Sequence, residues 1–433
     1  MRYTSLQDWL QWQQTLHPKA IDMSLSRIAE VANLMGIGQA HLVASQAKLI
    51  TVGGTNGKGS CVRVLEQALL AQGKSTGAFT SPHVLRYNER IRINGSEAGD
   101  DAIVAAFAAI DHARKDISLT YFEFGTLAAA YLFKNADVDY WLLEVGLGGR
   151  LDSVNIWSAD VAIITSIDID HVQWLGDNRE DIGREKAGIF RPGQTALCAD
   201  LAPPRTVIDA AQSIGAHLGL AGSDFSWQTN ADGWLWRCLG EDKHWLELPL
   251  PKPRLPEPSV AAALAALVAL NVLPSQAVLT ECLKTTTLAG RFQSVKYINV
   301  SLVLDVAHNP HAVGLLLENL QALALKRKPV AVFAALADKD LKTIISSMAQ
   351  AIERWHLPPL ADVQRAAEPS HLKAILDEHC CQVRLEETME LALQHAVEDR
   401  TEDDLVIVFG SFHTIESCLL AMQSTSAYAD SAQ

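Results

Sequence analysis

Positive charge is scarce in this chain. The 433 residues include 36 lysines and arginines against 50 aspartates and glutamates, so the formal net charge is −14 and the isoelectric point lies near 5.4. Proteins that bind nucleic acid nonspecifically need a basic surface to neutralise phosphates, so this balance argues against nucleic acid as a partner. Hydrophobic residues make up 48% and charged residues 20% of the chain, which is typical of soluble globular proteins.

Long apolar runs and paired cysteines are also missing. A membrane-spanning helix needs about 18 or more apolar residues, and the longest run here, at residues 260–270, is shorter and rich in alanine. Residues 1–16 contain Asp8 and several Gln and Trp residues, unlike a secretory signal. The seven cysteines are scattered and form no CxxC pair. These features predict a cytoplasmic protein with reduced thiols, no membrane partner and no structural zinc.

Short apolar runs alternate with segments of helical periodicity along most of the chain. Runs of this length, bounded by turn residues, predict buried strands of the parallel type. They occur at residues 49–52, 78–80, 140–143, 161–164, 300–304, 330–333 and 405–409. Helical spacing lies between most of them, for example at residues 103–113 and 127–133. This alternation predicts an α/β fold.

Two segments interrupt the alternation. Residues 224–258 combine alternating polar residues with five closing prolines, which predicts a small antiparallel ribbon followed by a stiff connector. We expect its tryptophans to pack on the main sheet rather than to stack on a ligand; they are Trp227, Trp234, Trp236 and Trp245. Residues 285–290 have turn composition and precede a second α/β series, so we place a domain boundary after residue 288. A small, polar tail at residues 424–433 is expected to be flexible.

A glycine-rich turn, VGGTNGKGS at residues 52–60, joins the first predicted strand to a helical pattern. Glycines let backbone N–H groups approach a polyphosphate, and the N-terminus of the following helix adds a favourable dipole. Lys58 would neutralise phosphate charge, and Ser60 would reach a magnesium ion. Gly59 separates the lysine from the hydroxyl residue, which departs from the standard P-loop spacing. An ordinary tight turn is the alternative, but the lysine and the flanking pattern favour phosphate binding.

Polar side chains follow several predicted strands. They are Ser81 and His83, then Glu144, then Asp168, Asp170 and His171, then Asp305 and His308, and finally Ser411 and His413. Ligands bind at the carboxyl ends of strands in open parallel sheets, and a hard cation beside a triphosphate needs oxygen or imidazole ligands. Ser81, Glu144 and His171 suit such a metal. Each also has a structural alternative: a turn serine before Pro82, an ion pair with Arg150, or a hydrogen-bonded histidine.

These patterns predict an ATP-using α/β enzyme and leave phosphoryl transfer, motor activity and ligation open. An ordered set of motifs goes further. It comprises GTNGKGS (54–60), TSPH (80–83), RYNER (86–90), LTYFEFGT (119–126), EVGLGGRLD (144–152), DH (170–171), GREKAGI (183–189), GRF (290–292), DVAHNP (305–310) and GSFH (410–413). With this set the chain resembles the bacterial folylpolyglutamate synthase/dihydrofolate synthase family of the Mur ligase superfamily.

The resemblance implies a fold and a reaction. The fold is a P-loop-type ATP-binding N-terminal domain with a mostly parallel sheet (residues 1–288) and a smaller Rossmann-like C-terminal domain (residues 289–423), with the site between them. The reaction is ATP-dependent amide formation, in which a pterin-bearing carboxylate becomes an acyl phosphate that the amine of L-glutamate attacks. The implied substrates are dihydropteroate and tetrahydrofolate derivatives. Two Mg²⁺ ions and a monomeric protein are also expected.

Site residues follow from the same resemblance. Nucleotide binding is assigned to Thr55, Asn56, Gly57, Lys58, Gly59, Ser60, Ser259, Arg291 and Asp305, and metal binding to Ser81, Glu144 and His171. Dihydropteroate binding is assigned to Arg27, Ile28, Thr120, Tyr121, Phe122, Glu123, Leu151, Asp152 and Ser153. Lys58, Lys186, His171 and His308 are the expected catalytic residues.

Lys186 matches the carbamylated lysine of the family, which requires surroundings that lower its pKa. A salt bridge to Glu185 or Asp181 is the structural alternative for this lysine. The sequence departs from the family at Ser259, where an asparagine usually contacts the nucleotide, at Ser26, where an acidic residue often precedes the arginine, and at Gly53, where alanine is common.

Other functions remain as alternatives at this point. An enzyme that only extends folates would share these motifs but would lack the activity toward dihydropteroate. A P-loop switch or kinase would share the phosphate turn, but should also carry a guanine-reading motif or a kinase lid, and neither is evident. A non-catalytic nucleotide-binding regulator would not need Lys186 and His171. A sister ligase for cell-wall precursors is disfavoured by the segments at residues 81–83 and 122–123.

Overall fold

The structure is a computed structural model that describes residues 2–19, 22, 24–230, 233–240, 242–361, 363–424 and 428–429. The chain forms two compact units, Met1–Thr286 and Thr287–Gln433. The functional domains predicted from the sequence, with their boundary after residue 288, stay a prediction. Most of the predicted flexible tail lies outside the described residues.

Unit 1 contains helices and strands in alternation. Its helices are α1 Leu6–Leu16, α2 Ser26–Leu34, α3 Gln39–Ser45, α4 Lys58–Leu70, α5 Asp100–Arg114, α6 Tyr121–Asn135, α7 Val172–Leu175, α8 Arg179–Ala187, α9 Arg205–Ile214, α10 Glu257–Ala269 and α11 Gln276–Thr285. Its strands are β1 Lys48–Gly53, β2 Thr76–Phe79, β3 Ile91–Ile93, β4 Ser96–Glu97, β5 Tyr140–Glu144, β6 Val161–Ile164, β7 Thr195–Cys198, β8 His217–Leu220, β9 Phe225–Asn230, β10 Gly233–Leu239 and β11 Trp245–Leu250. Two short 3₁₀ helices span Tyr87–Arg90 and Ser153–Ile156.

The large sheet of unit 1 has the strand order β4-β3-β2-β5-β1-β6-β7-β8. The strands from β2 to β8 in this order run parallel, whereas β3 and β4 pair antiparallel. Val52 of β1 lies opposite Glu144 of β5, and Gly53 lies opposite Ile164 of β6. The carboxyl ends of three central strands therefore meet at one edge, where ligands bind in open parallel sheets.

Burial explains why β1 lies at the centre of this sheet. Consecutive strand residues point to opposite faces, and Leu49, Ile50 and Val52 are all fully buried. Leu49 packs in one cluster with residues of α1, α2, α5 and α6, while α4 and α10 pack together and contact the same sheet. Helices thus cover both faces, as the continuous apolar run at residues 49–52 predicts.

The ribbon segment folds as a three-stranded antiparallel sheet in the order β11-β10-β9. Trp234 and Trp236 are buried, and their Nε1 atoms donate to Glu257 Oε2 at 3.1 Å and to Ala261 O at 3.3 Å. Both acceptors belong to α10, so the inner tryptophans face a helix. The predicted packing on the main sheet is therefore replaced by packing on α10 for Trp234 and Trp236, and Trp245 is 47% exposed.

Unit 2 is a second α/β layer structure. Its helices are α12 Pro310–Ala322, α13 Leu341–Met348, α14 Pro369–Glu378, α15 Met389–Val397 and α16 Phe412–Ser424. Its strands are β12 Gln293–Tyr297, β13 Val300–Asp305, β14 Val330–Phe333, β15 Arg354–Leu357, β16 Gln382–Leu385, β17 Leu405–Phe409 and β18 Tyr428–Ala429. The order is β16-β15-β14-β17-β13-β12-β18, with β12 and β18 antiparallel and the rest parallel. Its core includes a packed aromatic group, Phe333, Trp355 and Phe409.

The predicted α/β class with mostly parallel sheets is confirmed. Three predicted strands coincide with β6, β14 and β17, and the other four differ from the observed strands by one or two residues at an end. The two helices predicted at residues 103–113 and 127–133 are longer in the structure, as α5 and α6. Within the described part of the chain, no helix combines the length and apolar character needed to cross a membrane.

Candidate active site

The phosphate turn between β1 and α4 has a backbone that only glycine adopts readily. Gly54 and Gly57 have φ angles of 144° and 82°. A Cβ atom on Gly54 would collide with Thr165 Oγ1, and one on Gly57 would collide with Ser259 Oγ. Conformation and space therefore both require glycine at these two positions. Gly57 also precedes the first residue of α4, so the turn presents the amino end of a 13-residue helix.

The loop after β6 holds the phosphate turn in place. Thr55 N donates to Ser166 O at 2.8 Å, and Asn56 N donates to Ser166 Oγ at 3.0 Å. Thr165 Oγ1 donates to Asn56 O at 2.7 Å. Asp168 N donates to Thr55 Oγ1 at 3.0 Å. The turn is thus fixed by hydrogen bonds from a neighbouring strand end, as a preorganised anion site requires.

A pocket of about 260 Å³, including space open to solvent, lies beside this turn. It is lined by Gly54, Thr55, Lys58, Gly146, Leu147, Gly148, Asp170, His171, Leu175 and Lys186. Three of the four expected catalytic residues, Lys58, His171 and Lys186, therefore meet in one place. The sequence gives Asp170 no role beyond a polar residue at a strand end and a member of the DH motif, and the structure adds it to this pocket.

Lys186 is a buried lysine on α8. It is only 3% exposed, and its side-chain amine has no salt bridge or hydrogen bond within the described part of the chain. The two expected partners are engaged elsewhere: Glu185 pairs with Arg150 at 2.9 Å, and Asp181 pairs with Arg184 at 2.7 Å. The salt-bridge alternative for Lys186 is therefore wrong. Burial, followed by the nearby charge of Lys58, lowers the pKa of Lys186 to about 7.

The segment that carries Lys186 interlocks with the glycine loop after β5. Arg150 N donates to Glu185 O at 2.8 Å, and a Cβ atom on Gly149 would come within 2.8 Å of the same carbonyl oxygen. Asn155 Nδ2 donates to Arg150 O at 2.9 Å and to Gly188 O at 3.0 Å. The close approach explains Gly149 of the EVGLGGRLD motif and Gly188 of the GREKAGI motif, and it fixes the position of Lys186.

Two of the three expected metal ligands are neighbours. Ser81 N donates to Glu144 Oε2 at 3.0 Å, and Glu144 is 5% exposed at the end of β5. His171 precedes α7 with a φ of 53°, and its N–H donates to Asp170 Oδ1 at 2.8 Å. Only His171 of the three lines the pocket.

The donor set of this region suits a hard cation. Among the described residues, no group of three or more His, Cys, Asp or Glu side chains has the arrangement of a metal site. The available ligands are instead a mixture of hydroxyl, carboxylate and imidazole groups, to which substrate phosphates and water can add. Ser60 Oγ supports this reading, because it is buried in the first turn of α4 without a hydrogen-bond partner among the residues that the structure describes. The residues present therefore fit a magnesium ion bound together with a polyphosphate.

The carboxylate of Asp152 is hydrogen-bonded to the backbone of the loop after β5. It is 5% exposed and accepts hydrogen bonds from Leu147 N at 2.8 Å and Val154 N at 3.0 Å. Burial raises its pKa to about 6, while these backbone donors and Lys58 act in the opposite direction. Its side chain thus orders the glycine loop that lines the pocket, and direct contact with dihydropteroate stays a prediction.

A second group of expected substrate residues surrounds the start of α6. Arg27 donates to Glu123 Oε1 at 3.1 Å, and Thr120 and Glu123 form a reciprocal cap of the helix. Asp22 also pairs with Arg27, at 3.2 Å. Arg27 thus has an acidic partner at position 22, although Ser26 precedes it, and the spacing in the sequence does not reveal this pair. Ile28 is fully buried, and its contact with dihydropteroate stays a prediction.

The remaining substrate residues form an aromatic wall. Arg90, which the sequence did not single out, lies 5.6 Å from the ring centre of Tyr121. Phe122 packs on Phe79 with ring centres 5.5 Å apart, and a Cβ atom on Gly146 of the pocket would lie 2.5 Å from the Phe122 ring. Ser153 Oγ lies 2.6 Å from Thr126 Oγ1, and Leu151 is partly buried. The wall therefore adjoins the loop that lines the pocket.

Unit 2 contains the remaining predicted site residues, Arg291, Asp305 and His308. The guanidinium of Arg291 lies 5.2 Å from the ring centre of Phe412. Asp305 accepts two backbone N–H groups at 2.8 Å, and burial raises its pKa against the opposing charge of Arg291. His308 Nδ1 lies 2.8 Å from Val306 O. None of these residues lines the pocket of unit 1.

Comparison with known proteins agrees with this geometry. Residues 52–199 match the Mur ligase middle domain, and residues 290–412 match the Mur ligase glutamate ligase domain. The dihydrofolate synthase/folylpolyglutamate synthase of Escherichia coli is 40% identical over 410 residues, which cover 95% of this chain and 94% of that protein. The chain belongs to the dihydrofolate synthase/folylpolyglutamate synthase family.

Solved structures of the family share the fold over nearly the whole chain. E. coli FolC in complex with DHPP and ADP superimposes with a TM-score of 0.90 at 39% identity, over 97% of this chain and 98% of that one. A family structure with Mn, AMPPNP and L-glutamate bound gives a TM-score of 0.86 at 40% identity, with the same coverage. These relatives favour the ligase over the switch, kinase and regulator alternatives. The site residues themselves stay predictions in this chain.

Proposed function

We propose that this protein is an ATP-dependent amide ligase that joins L-glutamate to dihydropteroate and to tetrahydrofolates. It is expected to act as a cytoplasmic monomer. The observation that carries the proposal is the meeting of Lys58, His171 and Lys186 in one pocket beside a glycine turn. Membership of a family whose relatives bind ADP, DHPP and L-glutamate supports the same reaction.

The chemistry follows from the weak reactivity of a carboxylate. In the first step, a carboxylate oxygen of the folate attacks the γ-phosphorus of ATP, the bond to the β–γ bridging oxygen breaks, and an acyl phosphate and ADP form. In the second step, the neutral amine of glutamate attacks the acyl carbon, phosphate leaves with the bonding electrons, and the amine loses a proton. The product is an amide, and one ATP is consumed for each glutamate added.

The first step brings two anions together, and Lys58 and the N–H groups of residues 54–60 reduce the repulsion. These donors are fixed before the substrates bind, so they cost no reorganisation during the reaction. Thr55, Asn56, Gly57, Gly59 and Ser60 would cradle the phosphates. The structure supports this arrangement through the strict need for glycine at two positions of the turn.

Ser81, Glu144 and His171 would hold Mg²⁺, with two ions expected. The metal would neutralise phosphate charge and orient the γ-phosphoryl group. The contact between Ser81 N and Glu144 Oε2, and the unpartnered Oγ of Ser60, support metal binding near the phosphate turn.

Lys186 would carry a carbamate. An amine reacts with carbon dioxide only in its neutral form, through a new N–C bond and the release of one proton. The pKa of about 7 gives Lys186 a substantial neutral fraction at physiological pH, and the lack of a salt bridge leaves its nitrogen available. The resulting anion, facing Lys58 and the metal, would be better matched to this pocket than an ammonium group.

The folate would lie along the aromatic wall and its charged neighbours. These residues are Arg27, Ile28, Thr120, Tyr121, Phe122, Glu123, Leu151, Asp152 and Ser153. Flat rings bind well against such apolar and aromatic surfaces when a few polar groups fix their orientation. Ser259, Arg291 and Asp305 are expected to contact the nucleotide, and His308 is expected to be a catalytic residue.

Parallel labelling tests the proposal. Dihydropteroate and tetrahydrofolate are each incubated with ATP, Mg²⁺ and radiolabelled L-glutamate, and the labelled product is separated from free glutamate. We expect both to be labelled, with phosphate released in equal amount. Label in tetrahydrofolate alone would identify an extension-only enzyme. Label in neither, with active nucleotide binding, would contradict the proposal.

A further inference from the structure

A buried ion pair joins the helix that carries Lys58 to the strand that follows Ser81. Glu66 lies on α4 with a side chain that is 0% exposed, and Arg92 lies on β3 with 8% exposure. Arg92 Nε donates to both carboxylate oxygens of Glu66, at 3.1 and 3.0 Å. Arg63 donates to the same carboxylate at 2.8 Å. The carboxylate of Glu66 is thus fixed between two arginines.

The guanidinium of Arg92 also reaches the segment before Ser81. Its Nη1 atom donates to Thr80 Oγ1 at 3.2 Å and to Glu89 O at 3.1 Å. Thr80 N in turn donates to Arg90 O at 2.9 Å. Thr80 directly precedes Ser81, whose own N–H is bonded to Glu144. A single side chain therefore connects α4 to the residue next to the expected metal ligand.

Stability alone does not explain this arrangement. Replacing a buried ion pair by apolar residues of similar size is often neutral or stabilising, because two charges must be desolvated. Arg92 also buries its Nη2 atom without a hydrogen-bond partner in the described structure, which adds to the cost. What an arginine provides, and an apolar residue does not, is a rigid plane of donors that fixes several acceptors relative to one another.

We propose that Arg92, held by Glu66, is a positioning residue for magnesium-dependent nucleotide binding. It sets the distance between α4, with the phosphate turn at its start, and the Thr80–Ser81 segment, so that the turn and the metal ligands face the same phosphates. This inference rests on the metal and nucleotide binding of the proposed function. Arg92 contacts neither the substrate nor the reacting atoms.

Arg92→Lys tests the inference. A lysine keeps the charge opposite Glu66 but lacks the planar fork that reaches Thr80 and Glu89 together. AMPPNP binding is measured by calorimetry over a series of Mg²⁺ concentrations. The Mg²⁺ concentration at half-maximal binding should rise about tenfold, as expected for the loss of one hydrogen bond made by a charged group. Binding at saturating Mg²⁺ should stay within about twofold of the wild type, because the phosphate turn itself is intact.

Arg400→Lys is the matched control. Arg400 is also 8% exposed and also pairs with a carboxylate, Glu353, at 2.8 Å, but it lies in unit 2. Both variants should lower the melting temperature by several degrees, and only Arg92→Lys should shift the Mg²⁺ dependence. An unchanged Mg²⁺ dependence in Arg92→Lys, or an equal shift in both variants, would overturn the inference.

Thr80→Val keeps the test decisive if Arg92→Lys does not fold. The substitution removes only the hydroxyl acceptor and leaves the pair with Glu66 intact. It should raise the half-maximal Mg²⁺ concentration about threefold, and an unchanged value would refute the inference. Wild-type protein that binds Mg²⁺ and AMPPNP but makes no glutamylated product would contradict the proposed function alone, so the two failures are distinguishable.

Discussion

The two units bury charge in opposite ways. In unit 1, Lys186 is 3% exposed, its amine has no salt bridge or hydrogen bond in the described structure, and Lys58 lies close enough to lower its pKa further. In unit 2, the side chain of Arg400 is fully buried but pairs with Glu353 at 2.8 Å. The buried carboxylate of Glu386 likewise pairs with Arg384 at 3.2 Å and bonds to His356 at 2.6 Å. A buried charge with partners is compatible with a purely structural role, whereas one without partners costs stability and marks a candidate functional site.

The positions of the two groups support this distinction. The pocket with Lys186 lies at the carboxyl ends of the strands of unit 1, where open parallel sheets bind ligands. The ion pairs of Arg400 lie at the other end of the strands of unit 2, whereas Glu386 directly follows the carboxyl end of β16. Arg354 is the first residue of β15, and Arg400 and Asp404 precede the start of β17. For Lys186 and Arg400, the comparison therefore separates chemistry from scaffolding within one chain.

Removal of Lys58 should have the largest effect. Lys58→Ala deletes the cation that faces both the γ-phosphate and the attacking carboxylate, so turnover should fall by about 1,000-fold or more. The melting temperature should change little, because Lys58 is only partly buried at the start of α4. Phosphate release measures the turnover, and thermal unfolding measures the melting temperature. Turnover close to that of the wild type in a folded variant would remove the phosphate turn from the mechanism.

Arg400→Met should be the most destabilising change on the structural side of the comparison. It leaves Glu353 and Asp399 without one of their cations, and breaking such a pair costs about 3 kcal/mol. Urea unfolding followed by circular dichroism would measure the loss as an earlier transition. Specific activity of the folded protein should be unchanged. A loss of activity without a loss of stability would mean that unit 2 buries charge for function as well.

Lys186→Ala should lower activity by about 100-fold, since it removes the group expected to support the metal. Small carboxylates, such as formate or acetate, should restore part of the rate by occupying the vacated space. The assay is phosphate release at increasing carboxylate concentration, with Lys58→Ala as the variant that should not respond. Full activity of Lys186→Ala would contradict a catalytic role for this lysine.

Lys186→Met should increase stability, in contrast to Arg400→Met. The pKa of Lys186 falls from its ordinary value of 10.5 to about 7 on folding, so the unfolded chain holds the proton more tightly between these values. The free-energy cost of burying the charged amine of Lys186 is therefore fully present below pH 7 and disappears as the pH rises towards 10. In buffer depleted of carbon dioxide, the gain in unfolding free energy at pH 7 should be on the order of 4 kcal/mol and should shrink at pH 9.5. A destabilised variant at pH 7 would show that the ammonium has partners after all.

The smallest expected effect is a pH dependence of the stability of unit 2 that arises from His356. Its Nδ1 atom bonds to Glu386, Arg354 donates to its Nε2 atom, and Arg384 and His395 complete the charged surroundings. Burial, and to a lesser extent the arginines, lower its pKa from the ordinary 6.5 despite Glu386. The stability linked to His356 is therefore fully present above pH 6.5. It is lost as the pH falls, because the histidine of the unfolded chain takes up a proton before that of the folded chain.

Melting curves at pH 7, 6 and 5 would measure this dependence. The wild type should lose several degrees over the range, and His356→Gln, which cannot titrate, should lose less. Equal slopes for the two proteins would assign the pH dependence to other groups. His395→Gln is a useful comparison, since this second histidine bonds the other oxygen of Glu386 at 2.8 Å and is more exposed.

The strands and the phosphate turn could be predicted because their causes are local. A strand buried on both faces needs an apolar run such as residues 161–164, and a tight turn beside phosphate needs glycine and lysine. The state of Lys186 could not be predicted in this way. Glu185 and Asp181 are its neighbours in sequence, but they pair with Arg150 and Arg184, and only the fold determines that choice.

Other omissions have the same physical origin. The pairing of Asp22 with Arg27 joins positions without a helical spacing, so no periodicity indicates it. The sequence assigns Asp152 to dihydropteroate binding, which stays a prediction, and it does not reveal the backbone N–H groups of Leu147 and Val154 that its carboxylate accepts. Arg92 lies in a strand of three residues, where a charged side chain would ordinarily face solvent; its burial depends on Glu66 from a distant helix.

Anomalous diffraction from crystals grown with Mn²⁺ and AMPPNP would examine the pocket of unit 1 directly, because manganese is located by its own signal. The account predicts manganese coordinated by His171, or by Ser81 and Glu144, with the γ-phosphate beside Lys58 and Lys186. Manganese bound away from all of these residues, or a γ-phosphate remote from Lys58, would contradict it.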